Sequence, residues 1–261
     1  MFDYTNKVVA ITGASSGLGK QMAEGFAKCG ANLVIMARRI DRLEASAKEW
    51  SEKYGVKVLP IACDITNAES IANAVAKVEE TFGHCEVIIN NAGGEKGTGT
   101  PFVDYDRGDW DFTLNLDLTS VFAVAQGFVK LMKNAIANGK QTYGRVINIA
   151  SIYGVVGNTA IPTIAYHTSK GAVVNFTRGI AAELATTGIT ANVICPGYFY
   201  TELTTETLNS DYFQQFANTS VPMKRYGKEG ELNSAAIFLG AEESSYVTGQ
   251  VLAIDGGYTC V

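Results

Sequence analysis

The chain has 261 residues, 47% of them hydrophobic and 18% charged, with a net charge of −5; this is enough to bury a large core, and the acidic balance argues against nucleic acid as a partner. There is no run of about 18 apolar residues, and residues 1–6 have neither a basic start nor an apolar stretch, so no membrane span or secretory signal is expected. Five scattered cysteines without a C-x-x-C and only two histidines fit reduced core thiols in a cytoplasmic protein and speak against a metal site.

The first element is predicted at residues 7–12, an apolar run of strand formers. Gly13, Gly17 and Gly19 follow, and then a helical pattern carrying Met22, Phe26 and Ala27. A strand, a glycine turn and a helix in that order let backbone N–H groups and the positive helix end approach a diphosphate. The spacing is G-x-x-x-G-x-G and not the commoner G-x-G-x-x-G, so a tight connection with no ligand is the structural alternative.

The alternation continues with a strand at Asn32–Ala37 and a helix over 39–54 whose Leu43, Ala47 and Trp50 form one stripe. Further strands are predicted at 57–62, 86–90, Gly144–Ile149, 190–194 and Val251–Ile254. The helices between them are expected at Ala68–Phe82, 112–137, 163–185 and 228–240. Seven strands separated by helices predict an α/β fold, a doubly wound parallel seven-stranded sheet of Rossmann type with helices on both faces. No linker or repeat interrupts it, so 1–261 reads as one domain. Residues 197–227 break the rhythm with Tyr198, Phe199, Tyr200, Tyr212, Phe213, Phe216 and Tyr226. This segment leaves the carboxyl end of a strand, where ligands bind in such sheets, so a substrate lid is expected over 198–226; a subunit contact is the alternative.

Tyr166 and Lys170 stand four apart in a helical pattern, on one face. A tyrosine hydroxyl has a pKa of about 10, and a neighbouring ammonium favours the phenolate, which makes the pair a general acid/base. Ser151 follows a strand at the ligand-binding end and can donate to a substrate oxygen.

These residues match a family. TGASSGLG at 12–19, NNAG at 90–93, Ser151, Tyr166-x-x-x-Lys170 and Pro196-Gly197, in that order and over nearly the whole chain, resemble the short-chain dehydrogenase/reductases. The resemblance implies reversible hydride transfer between a nicotinamide cofactor and an alcohol/ketone substrate. In it Tyr166 exchanges the proton, Ser151 polarises the substrate oxygen, and Lys170 holds the nicotinamide ribose and depresses the Tyr166 pKa. Gly13, Ser15, Ser16, Gly17, Leu18 and Gly19 would carry the diphosphate, Asp64 and Ile65 would meet the adenine, and Asn91 and Gly93 would line the other side. Phe199 and Thr201 would lie by the carboxamide.

Two departures stand out. Seven residues after Trp110, where the family usually has an Asn in its proton relay, this chain has Asp117, while Asn115 falls on a different helix face. Ser151 and Tyr166 are fifteen apart where relatives mostly have thirteen, so the 157–165 stretch is expected to enlarge one wall of the substrate site.

The C-terminal third is most similar to bacterial gluconate 5-dehydrogenases and related sugar and polyol reductases. For a carboxylate substrate, Lys224 and Arg225 are the nearest basic candidates, or else surface charges. Hydroxysteroid dehydrogenases and 3-oxoacyl-carrier-protein reductases are the enzyme alternatives, and a nucleotide-binding sensor is the non-enzyme one. The resemblance also implies a homotetramer or homodimer, pairing helices in 100–137 and 163–185, with 255–261 near another contact.

For the cofactor, the position that carries an acidic residue in NAD enzymes, seven on from Gly30, is Ala37. Arg38 and Arg39 follow. Arg38 is the expected partner of a 2′-phosphate, so NADP(H) is the predicted cofactor, and Arg39 either joins it or opens a solvated helix; the alternative is that both arginines only begin that helix.

Overall fold

Unbroken aliphatic runs form the strands, because both faces of a parallel sheet are covered by helices and no position can be polar at no cost. β1 (Val8–Thr12) and β5 (Gly144–Ile149) are buried at every residue. A computed structural model describes residues 2–157, 161–202 and 204–261. The remaining strands are β2 (Asn32–Ala37), β3 (Val58–Ala62), β4 (Val87–Asn90), β6 (Ile189–Pro196) and β7 (Val251–Ile254). All pair in parallel, in the order β3-β2-β1-β4-β5-β6-β7, so the predicted doubly wound sheet is observed. The order reverses between β1 and β4, and the crevice outside their carboxyl ends is where such sheets take ligands.

Alternate side chains of one strand feed two cores. Val9, Ile11, Leu33 and Ile35 pack with Met22 and Phe26 of α1 (Gly17–Lys28), Leu43 and Trp50 of α2 (Ile40–Tyr54) and Leu239 near the C-terminus. Val8, Ala10, Val34 and Ile88 pack on the other face with Ile71 and Val78 of α3 (Ala68–Phe82). Asn67 caps α3 by accepting from the Ser70 N–H at 2.9 Å, and a left-handed Gly83 ends it, so sequence boundaries and structure coincide there.

The predicted long helix is three pieces: α4 (Arg107–Leu114), a π-turn over Asn115–Thr119, and α5 (Ser120–Ala137). Together, Arg107–Ala137 are long and apolar enough, by length and composition, to cross a membrane, contrary to the expectation from apolar runs. In the fold, the apolar residues have other work. Val124, Phe128 and Leu131 of α5 enter the second core, while Phe112 and Phe122 are exposed.

Past β5 come α6 (Ile164–Leu184) and, in the aromatic segment, α7 (Thr205–Leu208) and α8 (Asp211–Ser220), neither of which is legible as a periodic pattern. The last helix is α9 (Asn233–Gly240), five residues shorter at its start than predicted. Tyr198, Phe213, Phe216 and Tyr226 turn inward on each other, with Tyr198 and Tyr226 ring centroids 5.5 Å apart. The feet of this segment are tied by a bridge: Gly227 donates its N–H to the Tyr198 carbonyl at 2.9 Å, and the Tyr200 N–H donates to the Gly227 carbonyl at 3.0 Å. The enlarged wall expected over 157–165 includes residues 158–160, which lie outside the described residues.

Candidate active site

The glycine turn is shaped by contact as well as by conformation. Gly13 (φ 68°) and Gly17 (φ 56°) are left-handed, and a Cβ on Gly13 would lie 2.8 Å from the Asn91 amide nitrogen. Thr12 Oγ1 accepts from the Asn91 and Ala92 N–H groups, both at 3.0 Å, and Asn91 Nδ2 donates to the Thr12 carbonyl at 3.0 Å. These bonds stitch the end of β1 to the end of β4, so the Asn91 side chain holds the turn in place. Ser16, before α1, makes no side-chain cap, which leaves the first N–H groups of this twelve-residue helix for a ligand. Gly13 and Gly19 let the turn pack against Asn91: a Cβ on Gly19 would run into the Asn91 side chain and the Gly13 carbonyl.

β2 ends at Ala37 as predicted, and the two arginines then part company. Arg39 Nη2 donates to Ser15 Oγ at 3.1 Å and Ser16 Oγ at 3.2 Å, so its guanidinium lies over the glycine turn. Arg38 is exposed and acts toward Asp64. The Asp64 carboxyl is held below its ordinary pKa chiefly by the Thr66 N–H and hydroxyl, with Arg38 adding to the effect. Ile65 packs at the edge of the second core beside it. Arg38, the expected partner of a 2′-phosphate, stands just past β2 on the side of Asp64, and Arg39 is the arginine that converges with Ser15 and Ser16. Phe199 is buried at the base of the aromatic segment, and Thr201 exchanges hydrogen bonds with Thr204.

A cleft of about 220 Å³ opens between these elements, lined among others by Leu18, Gly93, Ser151, Tyr166, Lys170 and Gly197. Ser151 follows β5, and its Oγ accepts from the Tyr153 N–H at 3.2 Å. α6 presents Tyr166 and Lys170 on one face, with Lys170 Nζ 5.3 Å from the Tyr166 ring centroid. The π-turn widens the helix where Asp117 sits, and it directs that carboxylate inward while Asn115 stays exposed. Asp117 is fully buried; its Oδ2 lies 3.2 Å from Lys170 Nζ, and its Oδ1 accepts from the Gly94 N–H at 2.7 Å. Ser169 Oγ completes the shell at 3.4 Å, and Lys170 also reaches the Ile149 carbonyl at 3.4 Å.

The electrostatics follow from this packing. Burial pushes the Tyr166 hydroxyl up; the Lys170 ammonium and a hydrogen bond from Ser151 pull it down, Asp117 pushes it up again, and the net direction is up. The expected depression by Lys170 is present but outweighed. Lys170 is itself driven down by burial and more strongly up by Asp117 and Tyr166, so it stays protonated.

Arg225, a candidate for a carboxylate substrate, is spent on Glu231 in a two-pronged pair at 2.7 and 2.9 Å, and Lys224 is exposed. Sequence reading passed over Tyr153 and Glu95. Tyr153 stacks on His167 and hydrogen-bonds the Tyr198 hydroxyl, linking the wall behind Ser151 to the aromatic segment. Its signal was a tyrosine two residues past the strand-end serine.

The chain belongs to the short-chain dehydrogenase/reductase family: a family model described as Enoyl-(Acyl carrier protein) reductase matches residues 13–259. Among its relatives is the gluconate 5-dehydrogenase of Gluconobacter oxydans, 34% identical over 259 residues, covering 99% of this chain and 97% of that one. A gluconate 5-dehydrogenase from Burkholderia cenocepacia, solved with NADP and tartrate, superposes with a TM-score of 0.90 at 32% identity, covering 100% and 98% of the two chains. L-Sorbose reductase from Gluconobacter frateurii, solved with NADPH and L-sorbose, gives 0.88 at 31% identity, covering 100% and 99%.

Proposed function

We propose that this protein is an NADP(H)-dependent oxidoreductase that interconverts a secondary alcohol and a ketone on a polyhydroxylated substrate, a polyol or sugar acid. The observation that carries the reading is the convergence of Ser151, Tyr166 and Lys170 in one cleft beside the glycine turn. A protein that only binds nucleotide has no need of a buried acid/base pair. Two relatives of similar length and fold were solved with NADP or NADPH, and Arg39 with Ser15 supplies a charge-assisted site for a 2′-phosphate.

In reduction, Tyr166 gives its proton to the substrate oxygen while Ser151 donates a hydrogen bond to the same oxygen. The cofactor supplies the hydride. Lys170 holds the ribose and lowers the cost of the phenolate that Tyr166 becomes, and Asp117 keeps Lys170 charged. The 198–226 segment closes over the substrate. The protein works in the cytoplasm as a homotetramer or homodimer; five free cysteines fit a reducing compartment.

The test is a panel of ketoses, keto acids and polyols with both cofactors, read by NADPH or NADH absorbance. NADPH is expected to be preferred. Arg39→Ala should raise the KM for NADPH about tenfold, since a lost charge-assisted bond costs about 1.5–3 kcal/mol, and hardly move that for NADH. Tyr166→Phe should lower kcat by about a hundredfold or more. Equal or better use of NADH by the native enzyme would overturn the cofactor assignment, and near-native turnover by the Phe variant would overturn the role of Tyr166.

A further inference from the structure

The aromatic segment leaves the sheet past Gly197 and returns at Gly230, and one side chain holds both of its feet on the helix that opens at the glycine turn. Gln21 stands half-buried, one turn into α1. Its Nε2 donates to the Tyr200 carbonyl at 3.4 Å, and its Oε1 accepts from the Gly230 N–H at 3.1 Å. The Phe199–Gly227 bridge lies between these two points, so the outgoing and returning limbs form one knot against α1. The helix itself is a fixed anchor. Met22 and Phe26 are in the core, and Gly25 is pressed so closely on Asn233 that a Cβ there would lie 2.7 Å from its amide nitrogen.

The chemistry of the link is particular to an amide. Gln21 uses its donor toward one foot and its acceptor toward the other; a carboxylate cannot donate, and a thioether chain offers no donor and only a weak acceptor. Another link across the seam, Arg42 to Glu202 at 3.0 Å, joins two side chains that are each about half exposed, and such pairs contribute little. Gln21 also lines a cavity of about 290 Å³ with Gly17, Thr201 and Glu202, and a Cβ on Gly17 would lie 3.7 Å from Thr201 Cγ2. The glycine turn and the outgoing foot thus meet at Gly17 and Thr201. A nucleotide seated on that turn is bordered by the foot that Gln21 holds.

We propose that Gln21 is a positioning residue: by holding Tyr200 and Gly230 on α1 it orders the base of the aromatic segment before the cofactor arrives, so that binding does not have to supply that order. This rests on the reading above, in which NADP(H) takes the glycine turn beside a segment that closes over the substrate, and adds how the two are joined.

Limited digestion with chymotrypsin tests it, with fragments identified by mass. Cleavage after the exposed Tyr212 of α8 needs the segment to open, and cleavage after the exposed Phe102, outside the segment, is the reference. Without cofactor, Gln21→Met is expected to speed cleavage after Tyr212 by about tenfold and to leave that after Phe102 within about twofold of native. Saturating NADP+ is expected to bring the Tyr212 rate of the variant back to within about threefold of the native protein's. Gln21→Glu keeps the acceptor for Gly230 and loses the donor to Tyr200; it is expected to act in the same direction, and it carries the test where the Met variant does not fold. Variants cleaved after Tyr212 as slowly as the native protein overturn the proposal. So do variants that stay equally susceptible with NADP+ bound, or that are cleaved faster after Phe102 as well, because a side chain that only stabilised the fold would behave in that way. Failure of both variants to fold assigns Gln21 to the fold and overturns the proposal too. A native protein that binds neither NADP+ nor NAD+ on calorimetric titration overturns the cofactor reading, and the proposal falls with it; binding by the native protein together with native cleavage in both variants overturns the proposal alone.

Discussion

Asp117 was legible in the sequence because counting from Trp110 needs only a continuous helix, and the π-turn keeps the chain helical while it aims the carboxylate inward. The partner of that carboxylate was not: a pattern of apolar positions gives faces of helices, not which buried atoms meet across two of them. Glu95 escaped for a related reason: it is a polar residue outside regular elements, where periodicity carries no direction. Asp117→Asn is expected to fold, because the amide oxygen can still accept the Gly94 N–H. It removes a negative charge that raises the pKa of both Tyr166 and Lys170. The sign is then fixed: losing an anion makes the phenolate easier to form, so in the oxidation direction the rising limb of kcat/KM moves to lower pH. A pH–rate profile identical to that of the native enzyme would mean that Asp117 is not coupled to the proton transfer.

At the scale of elements, β2, β5 and β7 and the helix Ala68–Phe82 stand where the sequence placed them, because aliphatic runs and caps define their ends. α7 and α8 were hidden by a composition rich in Thr, Asn and aromatics, whose stripe is covered by the segment itself and not by the sheet. The bridge between Phe199 and Gly227 fixes the base of that segment. A Cβ at Gly227 would run into the Phe199 ring, so Gly227→Ala must push the ring aside. Such overpacking costs about 1–3 kcal/mol, a fall in Tm of about 2–4 °C for each kcal/mol in a chain of this size. Phe199 borders the proposed cofactor site, so the same variant should bind NADPH more weakly, measured by titration beside thermal unfolding. Native Tm and affinity would show that the bridge does not set the base of this segment.

For the whole molecule, the stretch Arg107–Ala137 leaves apolar side chains uncovered, with Phe112 41% and Phe122 47% exposed. An apolar helical face of this kind suits a partner subunit. Light scattering at micromolar concentration is expected to give the mass of a dimer or tetramer, and Phe122→Lys should shift it downward; a monomeric native chain would exclude the assembly. The sheet order has a separate consequence, in time. β3, β2 and β1 are all made by residue 62, so a chain emerging from the ribosome has synthesised the glycine turn, Ser15 and Arg39 before any of β4 to β7 exists. The half that carries the glycine turn precedes the half that carries Ser151, Tyr166 and Lys170, and the cleft comes into being only when Asn91 closes the seam on Thr12.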